Sequence, residues 1–161
     1  MSIQSLIDRS NQQGDEVWIS GGASELAIIV IEQAIGAKLP SSYRNFLKEF
    51  GAIYAMDAGI SGIVEDDPLA MSSGGIYADT MFMRDEFKDQ YVVPDYLWVL
   101  KKHEDGAFCF NINIPTIGDE YAIVNYEPHL PESTHSEVLA ATFSEYMQEW
   151  FFGYLGYDAQ S

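Results

Sequence analysis

The sequence predicts an α+β fold in which helices flank a mainly antiparallel sheet. Helical patterns are concentrated in the first 51 residues and in one closing segment, whereas short β-compatible runs separated by turn residues fill the middle of the chain. Helices and strands that are segregated in this way favour helices packed on an antiparallel sheet. The length of 161 residues is typical of one domain, and we predict a single domain over residues 1–161.

Three helices are predicted before residue 52. Ser2 and Ser24 are suitable N-caps for the first two, and Gly36 ends the second. Pro40 lies in the first turn of the third helix, where its missing N–H costs nothing, and Gly51 closes that helix. The apolar stripe of the third helix consists of Tyr43, Phe46, Leu47 and Phe50.

The middle of the chain is predicted to be mostly strands. Residues 57–59 separate two of them, and residues 104–106 form a hairpin turn because Asp-Gly accepts the positive φ that such turns require. Residues 76–91 have a helical pattern. The predicted strands are residues 17–19, 52–56, 60–64, 97–100, 107–112 and 121–126.

A closing helix is predicted to begin at Thr142. Thr142 and Glu145 fit the capping-box pattern, in which a hydroxyl and a carboxylate satisfy backbone N–H groups. Glu145 and Glu149 are expected on the solvated face. One aromatic stripe, which predicts core packing rather than a cofactor site, consists of Phe143, Tyr146, Met147, Trp150 and Tyr154.

The charge of the chain restricts its partners. Twenty-five acidic residues against 8 basic ones give a net charge of −17, and no Lys or Arg follows Lys102. This excess disfavours nucleic acid and anionic membranes, and it favours a basic protein partner. High net charge also keeps proteins soluble, so charge alone does not establish a binding function.

No catalytic, metal-binding or cofactor motif is evident. Glu65-Asp66-Asp67 has no positioned acid–base partner, and the spacing of His103, His129 and His135 does not suit zinc. We therefore predict no catalytic residue, no metal and no cofactor. A triad assembled in space would leave no motif, so an acidic enzyme with a cryptic site remains an alternative.

The only cysteine and the N-terminal residues bear on location. Cys109 lies in an apolar run and is predicted to be a small buried hydrophobe, with no second cysteine for an intramolecular disulfide. Residues 1–13 lack the regions of a signal peptide, and no apolar stretch approaches the roughly 20 residues of a membrane span. We expect a cytoplasmic location.

A block over residues 24–51 resembles the SUKH superfamily. The superfamily includes bacterial toxin-immunity proteins and fungal cell-wall glucan-synthesis regulators. The order of strands and the Thr-capped closing helix are also similar, so the resemblance covers most of residues 17–152. The residues that carry the block are Ile31, Glu32, Gly36, Leu39, Pro40, Tyr43, Phe46, Leu47 and Gly51.

The resemblance implies a protein-binding module rather than an enzyme. The expected function is that of an immunity protein that neutralises a polymorphic toxin, often a nuclease, because an acidic inhibitor suits a basic toxin. The alternative is a regulator or scaffold of cell-wall glucan synthesis that acts through protein contacts. Residues 65–96 match nothing in the family pattern, so they are either a specificity segment or decoration.

Acidic residues near aromatic ones are the candidates for partner contacts, because aromatic anchors dominate interfaces and charges surround them. Each of these residues could equally be an ordinary solvated loop residue. The partner-binding candidates are Glu65, Asp66, Asp67, Tyr77, Asp119 and Glu120.

Overall fold

A computed structural model describes residues 2–156 of the chain. Within these residues the fold is α+β, as predicted. The helices are α1 (Ile3–Gln13), α2 (Glu25–Ile35), α3 (Ser41–Phe50), α4 (Ile76–Phe87) and α5 (Phe143–Tyr146), with a 3-10 helix at Glu132–Ser136 and a π-helical segment at Met147–Phe152. The strands are β1 (Val17–Ile19), β2 (Ile53–Ala55), β3 (Ala58–Ile60), β4 (Leu97–His103), β5 (Gly106–Pro115) and β6 (Tyr121–Tyr126).

The strands form two antiparallel sheets rather than one. The first has the order β1-β2-β3 and the second the order β4-β5-β6. The two sheets meet where the backbone N–H of Ser61, just after β3, donates to the carbonyl oxygen of Leu100 in β4 at 2.7 Å. Because of this hydrogen bond, the outer face of the first sheet lies next to the C-terminal half of β4.

The main core lies between α2, α3, α5 and both sheets. Tyr43 of α3 is fully buried near its centre, with its ring edge-on to Phe110 and Phe143 at centroid distances of 5.1 and 5.0 Å. A smaller cluster lies on the opposite face of the second sheet, where α4 contributes Met83. Cys109 is completely buried in this cluster, as predicted, and burial raises the pKa of its thiol.

The predicted helix caps at Ser2, Ser24 and Thr142 are confirmed. Each hydroxyl oxygen accepts a backbone N–H from the first turn of its helix, over 3.0 to 3.1 Å. The carboxylate of Glu145 departs from the usual capping box, because it accepts the N–H of Ala141, one residue before the cap. Helix α4 ends at Phe87, four residues before the predicted end.

The turn between β2 and β3 is shorter than predicted. Met56 and Asp57 alone form it, and both have positive φ, at 48° and 69°. This geometry matches the right-handed twist of a two-residue hairpin, so Ala58 and Gly59 join the following strand. Gly59 consequently pairs with Tyr54, which matters for the site described below.

The hairpin between β4 and β5 was predicted in the right place but for the wrong reason. Glu104 and Asp105 form the turn, and neither they nor Gly106 are among the described residues with positive φ. Glycine is required at 106 because a Cβ atom there would lie 1.9 Å from the carbonyl oxygen of Tyr126 on β6. Close approach of a neighbouring strand therefore replaces turn geometry as the explanation.

The closing aromatic stripe is only partly buried, which corrects the prediction of core packing along one α-helical face. Trp150 and Tyr154 are 38% and 67% exposed, whereas Phe151 and Phe152 are buried. The chain changes from α- to π-helical turns after Tyr146. Because a π-turn holds more residues than an α-turn, the inward face shifts along the sequence and leaves Trp150 at the surface.

Candidate partner-binding groove

An open groove lined by aromatic side chains lies where the two sheets meet. It consists of two adjoining depressions with volumes of about 350 and 230 Å³, which share Gly59, Lys101 and Lys102. We call it the aromatic groove and define it by its exposed aromatic residues and its central cation, which are Trp18, Tyr54, Trp150, Tyr154 and Lys101.

Two of these aromatic residues form a row across the outer face of the first sheet. Trp18 of β1 lies directly opposite Tyr54 of β2, which in turn lies opposite Gly59 of β3. The two rings are 44% and 48% exposed. The Tyr54 ring lies over Gly59, where an added Cβ would be only 3.1 Å from it. The missing side chain of Gly59 thus makes room for the ring.

A bulge in β4 directs Lys101 into the groove. The pairing of β4 with β5 shifts between Val99 and Lys101, and Lys101 lies opposite Phe108. Strict alternation would place Lys101 with Leu97 and Val99 on the face that packs near α4. A bulge changes which face a side chain occupies, and here it brings the ammonium group to 6.0 Å from the Tyr54 ring centroid.

The ammonium group of Lys101 is half-buried. Its Nζ donates a hydrogen bond of 2.8 Å to the carbonyl oxygen of Lys102. Burial lowers the pKa of Lys101, and the carboxylates of Asp79 and Asp57 act in the opposite direction. The groove therefore holds a partly desolvated cation among aromatic rings.

The floor of the larger depression is fixed by a buried carboxylate. Asp79 of α4 accepts the hydroxyl hydrogen of Ser61 at 2.6 Å and the backbone N–H of Gly74 at 3.2 and 3.3 Å. The Tyr43 hydroxyl donates to the carbonyl oxygen of Ser61 at 2.6 Å. These bonds join α3, α4 and the chain after β3, so the floor is rigidly positioned from three directions.

The smaller depression has aromatic walls and an acidic rim. Trp150 and Tyr154 line it together with Phe108, whose ring centroid is 5.5 Å from that of Trp150. The exposed carboxylates of Asp57 and Glu104 also line it. Aromatic surface edged by charge is typical of protein interfaces.

The acidic loop predicted to bind a partner lies near the Trp18 end of the groove. Glu65, Asp66 and Asp67 are exposed, and the Glu65 N–H donates to the hydroxyl of Ser20, two residues after Trp18. Asp66 also has a structural role, because its carboxylate accepts the backbone N–H of Ser24 at 2.7 Å, before α2. Glu65 and Asp66 have φ values of 52° and 55°, a conformation that residues other than glycine adopt infrequently.

The other three candidates are not in the groove lining. Tyr77 is half-buried against the main core. Asp119 accepts the backbone N–H of Ser41 at 2.8 Å and its hydroxyl hydrogen at 2.5 Å, bonds that lower the pKa of Asp119. Pro40 has no side-chain acceptor for the start of α3, and Asp119 supplies one from another part of the chain.

Glu120 is 8% exposed and holds two helices together. Its carboxylate accepts the hydroxyl hydrogen of Ser42 at 2.8 and 3.1 Å and the backbone N–H of Phe143, at the start of α5, at 2.7 Å. This role within the fold is one that the sequence did not indicate. We therefore omit Glu120 from the partner-binding surface proposed below.

Replacing Glu120 with alanine is expected to destabilise the fold by about 2 kcal/mol, because the buried N–H of Phe143 loses its acceptor. The free energy of unfolding, from urea denaturation, measures this effect. Glu137→Ala is the matched control, since Glu137 is exposed and its loss should change stability by less than about 0.5 kcal/mol. Equal effects of the two substitutions would contradict the role given to Glu120.

His135, one of the histidines weighed as a zinc ligand, lies outside the groove. It is 7% exposed, packs against the Tyr126 ring at a centroid distance of 4.7 Å, and neither ring nitrogen has a hydrogen-bond partner among the described atoms. Burial lowers the pKa of His135, while the carboxylate of Glu132 acts to raise it. In the part of the chain that the structure describes, no three His, Cys, Asp or Glu side chains are grouped to hold a metal ion.

We expect His135 to make stability depend on pH. A histidine with a lowered pKa stabilises the fold above its unfolded pKa of about 6.5, and this contribution is lost as the pH falls through the folded value. Urea unfolding between pH 7.5 and 5 should therefore show a steeper loss for the wild type than for His135→Gln. Parallel pH profiles for the two proteins would contradict this expectation.

The aromatic groove was not predicted from the sequence. Trp18 and Tyr54 alternate with inward-facing neighbours in strands of three residues, and such short strands give little periodicity. The outward position of Trp18 in Val17-Trp18-Ile19 was the one available signal. The bulge that redirects Lys101 could not be predicted from the sequence pattern.

The fold and the groove define a small α+β domain that carries an open, aromatic-lined surface. A family model described as "SUKH_5: SMI1-KNR4 cell-wall" matches residues 3–152, and the chain belongs to this family. The predicted membership of the SUKH superfamily is thereby confirmed. Among residues 2–156, no helix has the length and apolar character needed to cross a membrane.

Proposed function

We propose that this chain is a non-catalytic immunity protein that binds and neutralises a basic toxin, and that the aromatic groove contacts the toxin. The observation that carries the proposal is the set of four exposed aromatic side chains around one groove in a molecule of net charge −17. Membership of the SUKH family supports a binding role.

The exposed rings provide the apolar part of such an interface. Large aromatic residues that fill pockets contribute most of the binding energy at protein interfaces, and contiguous exposed apolar surface often marks a binding site. Trp18 and Tyr54 lie side by side on a rigid sheet, so little conformational entropy is lost when a partner covers them.

The surrounding carboxylates provide charge complementarity to a basic partner. Asp57 and Glu104 lie in the groove lining, and the exposed loop of residues 65–67 lies near its Trp18 end. Acidic residues around an apolar centre accelerate association with a basic protein and make binding sensitive to salt. We therefore retain Glu65, Asp66 and Asp67 as rim residues in this proposal.

A second candidate function is regulation of cell-wall synthesis through protein contacts. The description of the matching family model, which names the cell wall, favours it. The same groove would then bind an envelope-synthesis protein rather than a toxin. Both functions need a protein partner, and they differ in what that partner does.

Affinity capture from the native cells tests the proposal, with the full chain as bait at low and at high salt. An immunity function predicts a basic protein that is retained at low salt, released at high salt, toxic when expressed alone, and harmless when this chain is co-expressed. Capture of an envelope-synthesis enzyme without toxicity would support the second function. Recovery of no specific protein at either salt concentration would overturn both.

A further inference from the structure

We infer that the Trp18–Tyr54 end of the aromatic groove binds a carboxylate carried by an apolar or aromatic group. In the complex, this carboxylate would be an acidic side chain or the C-terminus of the partner. The inference rests on the proposed function and specifies the chemistry of one subsite. It also differs from what the net charge suggests, because a mainly basic partner would place an acidic group here.

The cation that would bind the carboxylate is Lys101. Its ammonium group is half-buried between the two depressions, and none of the ion pairs found among residues 2–156 includes it. Its only hydrogen bond described is to a backbone oxygen, that of Lys102. A desolvated ammonium group with donors to spare gains more from a carboxylate than an exposed lysine does.

The other charged groups in the lining of this depression are one buried carboxylate and a second lysine. Asp79 is the one carboxylate in its lining, and it is 6% exposed with its oxygens already accepting from Ser61 and Gly74. The remaining charged residue in the lining is Lys102, whose ammonium group is paired with Glu86 at 3.5 Å. Asp57 and Glu104 line the other depression instead. Asp79 and the nearby acidic loop offset part of the positive charge at the Trp18 end. Lys101 is the lysine of this lining that none of the ion pairs among residues 2–156 includes.

The shape of the depression suits a small group rather than a long segment. Its volume of about 350 Å³ is at the lower end of the range for ligand pockets. The exposed rings of Trp18 and Tyr54 form its walls, and Gly59 and Gly74 leave the rings accessible. An aromatic or aliphatic body would pack against these rings while its carboxylate contacts Lys101 Nζ.

Titration of the full chain with 3-phenylpropionate tests the inference, using the neutral 3-phenylpropanamide at matched salt for comparison. In ¹⁵N–¹H spectra, the signals of the Trp18 indole N–H and of the Gly59 backbone N–H should shift saturably with 3-phenylpropionate. 3-Phenylpropanamide should bind at least about tenfold more weakly. The Trp18→Phe variant identifies the indole signal. Equal binding of acid and amide, or no shift with either, would overturn the inference.

Variants separate the charge of Lys101 from its structural role. Lys101→Met should abolish the preference for the acid, whereas Lys101→Arg should keep it. Lys48→Met is the control, because Lys48 lies outside the groove lining and its ammonium group is paired with Glu25 on α2. A preference that survives in a folded Lys101→Met protein would also overturn the inference.

Two N-acetylated compounds distinguish the sources of the carboxylate. Shifts with acetyl-Glu-Phe-amide would indicate a side-chain carboxylate, and shifts with acetyl-Phe carrying a free C-terminus would indicate a chain terminus. Failure of both compounds would reject the subsite. Affinity capture tests partner binding independently of these probes. If the chain captures a partner but binds none of the probes, the carboxylate subsite is rejected and the proposed function is not.

Discussion

Replacing both Trp18 and Tyr54 with alanine is expected to weaken the affinity for the partner about 100-fold. Each ring is exposed by almost half, and truncation of an aromatic anchor at an interface typically costs 2 kcal/mol or more. Two such losses, which need not add fully, correspond to at least about two orders of magnitude in Kd. Calorimetry with the captured partner measures the affinity directly.

The control for this variant removes exposed apolar side chains elsewhere. Leu26 and Ile29 of α2 are 72% and 39% exposed and lie outside the groove lining. Their replacement by alanine should leave the affinity within about twofold, as expected for residues outside an interface. If the α2 variant loses as much affinity as the groove variant, the partner does not bind where we propose.

The substitution Gly62→Ala is expected to destabilise the fold by more than about 3 kcal/mol. A Cβ at this position would lie 1.8 Å from the carbonyl oxygen of Gly51 and 2.9 Å from a methyl group of Leu47. The backbone of Gly62 also bonds Gly74 and Ile76, at 2.8 and 2.7 Å, and so holds the groove floor against α4. Because backbone atoms surround the site, side-chain rearrangement cannot relieve the clash.

Thermal and urea unfolding measure this effect. Gly75, which pairs with Gly62 in an isolated parallel β-bridge, provides the control. A Cβ at Gly75 would have its nearest contact at 3.4 Å, and Gly75 does not adopt positive φ. Gly75 is the N-cap of α4, a position where alanine is less favourable than glycine, so Gly75→Ala should destabilise the fold by about 1 kcal/mol at most, clearly less than Gly62→Ala. A wild-type melting temperature for Gly62→Ala would show that this part of the backbone is not packed as described.

The caps of α2 and the apolar stripe of α3 could be predicted because residues close in sequence determine them. Ser24 accepts the N–H of Ala27, and Gly36 adopts the left-handed conformation that ends α2, as the sequence indicated. Tyr43 and Phe46 follow a regular helical stripe and are buried. In each case one or two residues close in sequence carry the whole signal.

The candidate site could be predicted much less well, because contacts between distant residues create it. The turn of Met56 and Asp57 sets the pairing that brings Tyr54 over Gly59, and the β4 bulge brings Lys101 beside it. The π-helical segment leaves Trp150 exposed where an α-helix would bury it. None of these irregularities follows from the apolar pattern.

The sequence pattern also does not separate acidic residues that stabilise the fold from acidic residues that are free to bind a partner. Asp119 and Glu120 were chosen as loop acids, yet their oxygens accept hydrogen bonds from the first turns of α3 and α5. A carboxylate that caps a helix far away in sequence has the same local pattern as a solvated one. Glu65 and Asp67 are exposed, and their contact with a partner remains a proposal.

The central claim is that the partner binds over the aromatic groove, and amide hydrogen exchange of the chain with and without the captured partner tests it most directly. The account predicts slower exchange in β1–β3 and in the β4–β5 hairpin on binding, with no change across α2. Protection confined to α2, or to residues 113–120, would place the partner elsewhere and contradict the claim.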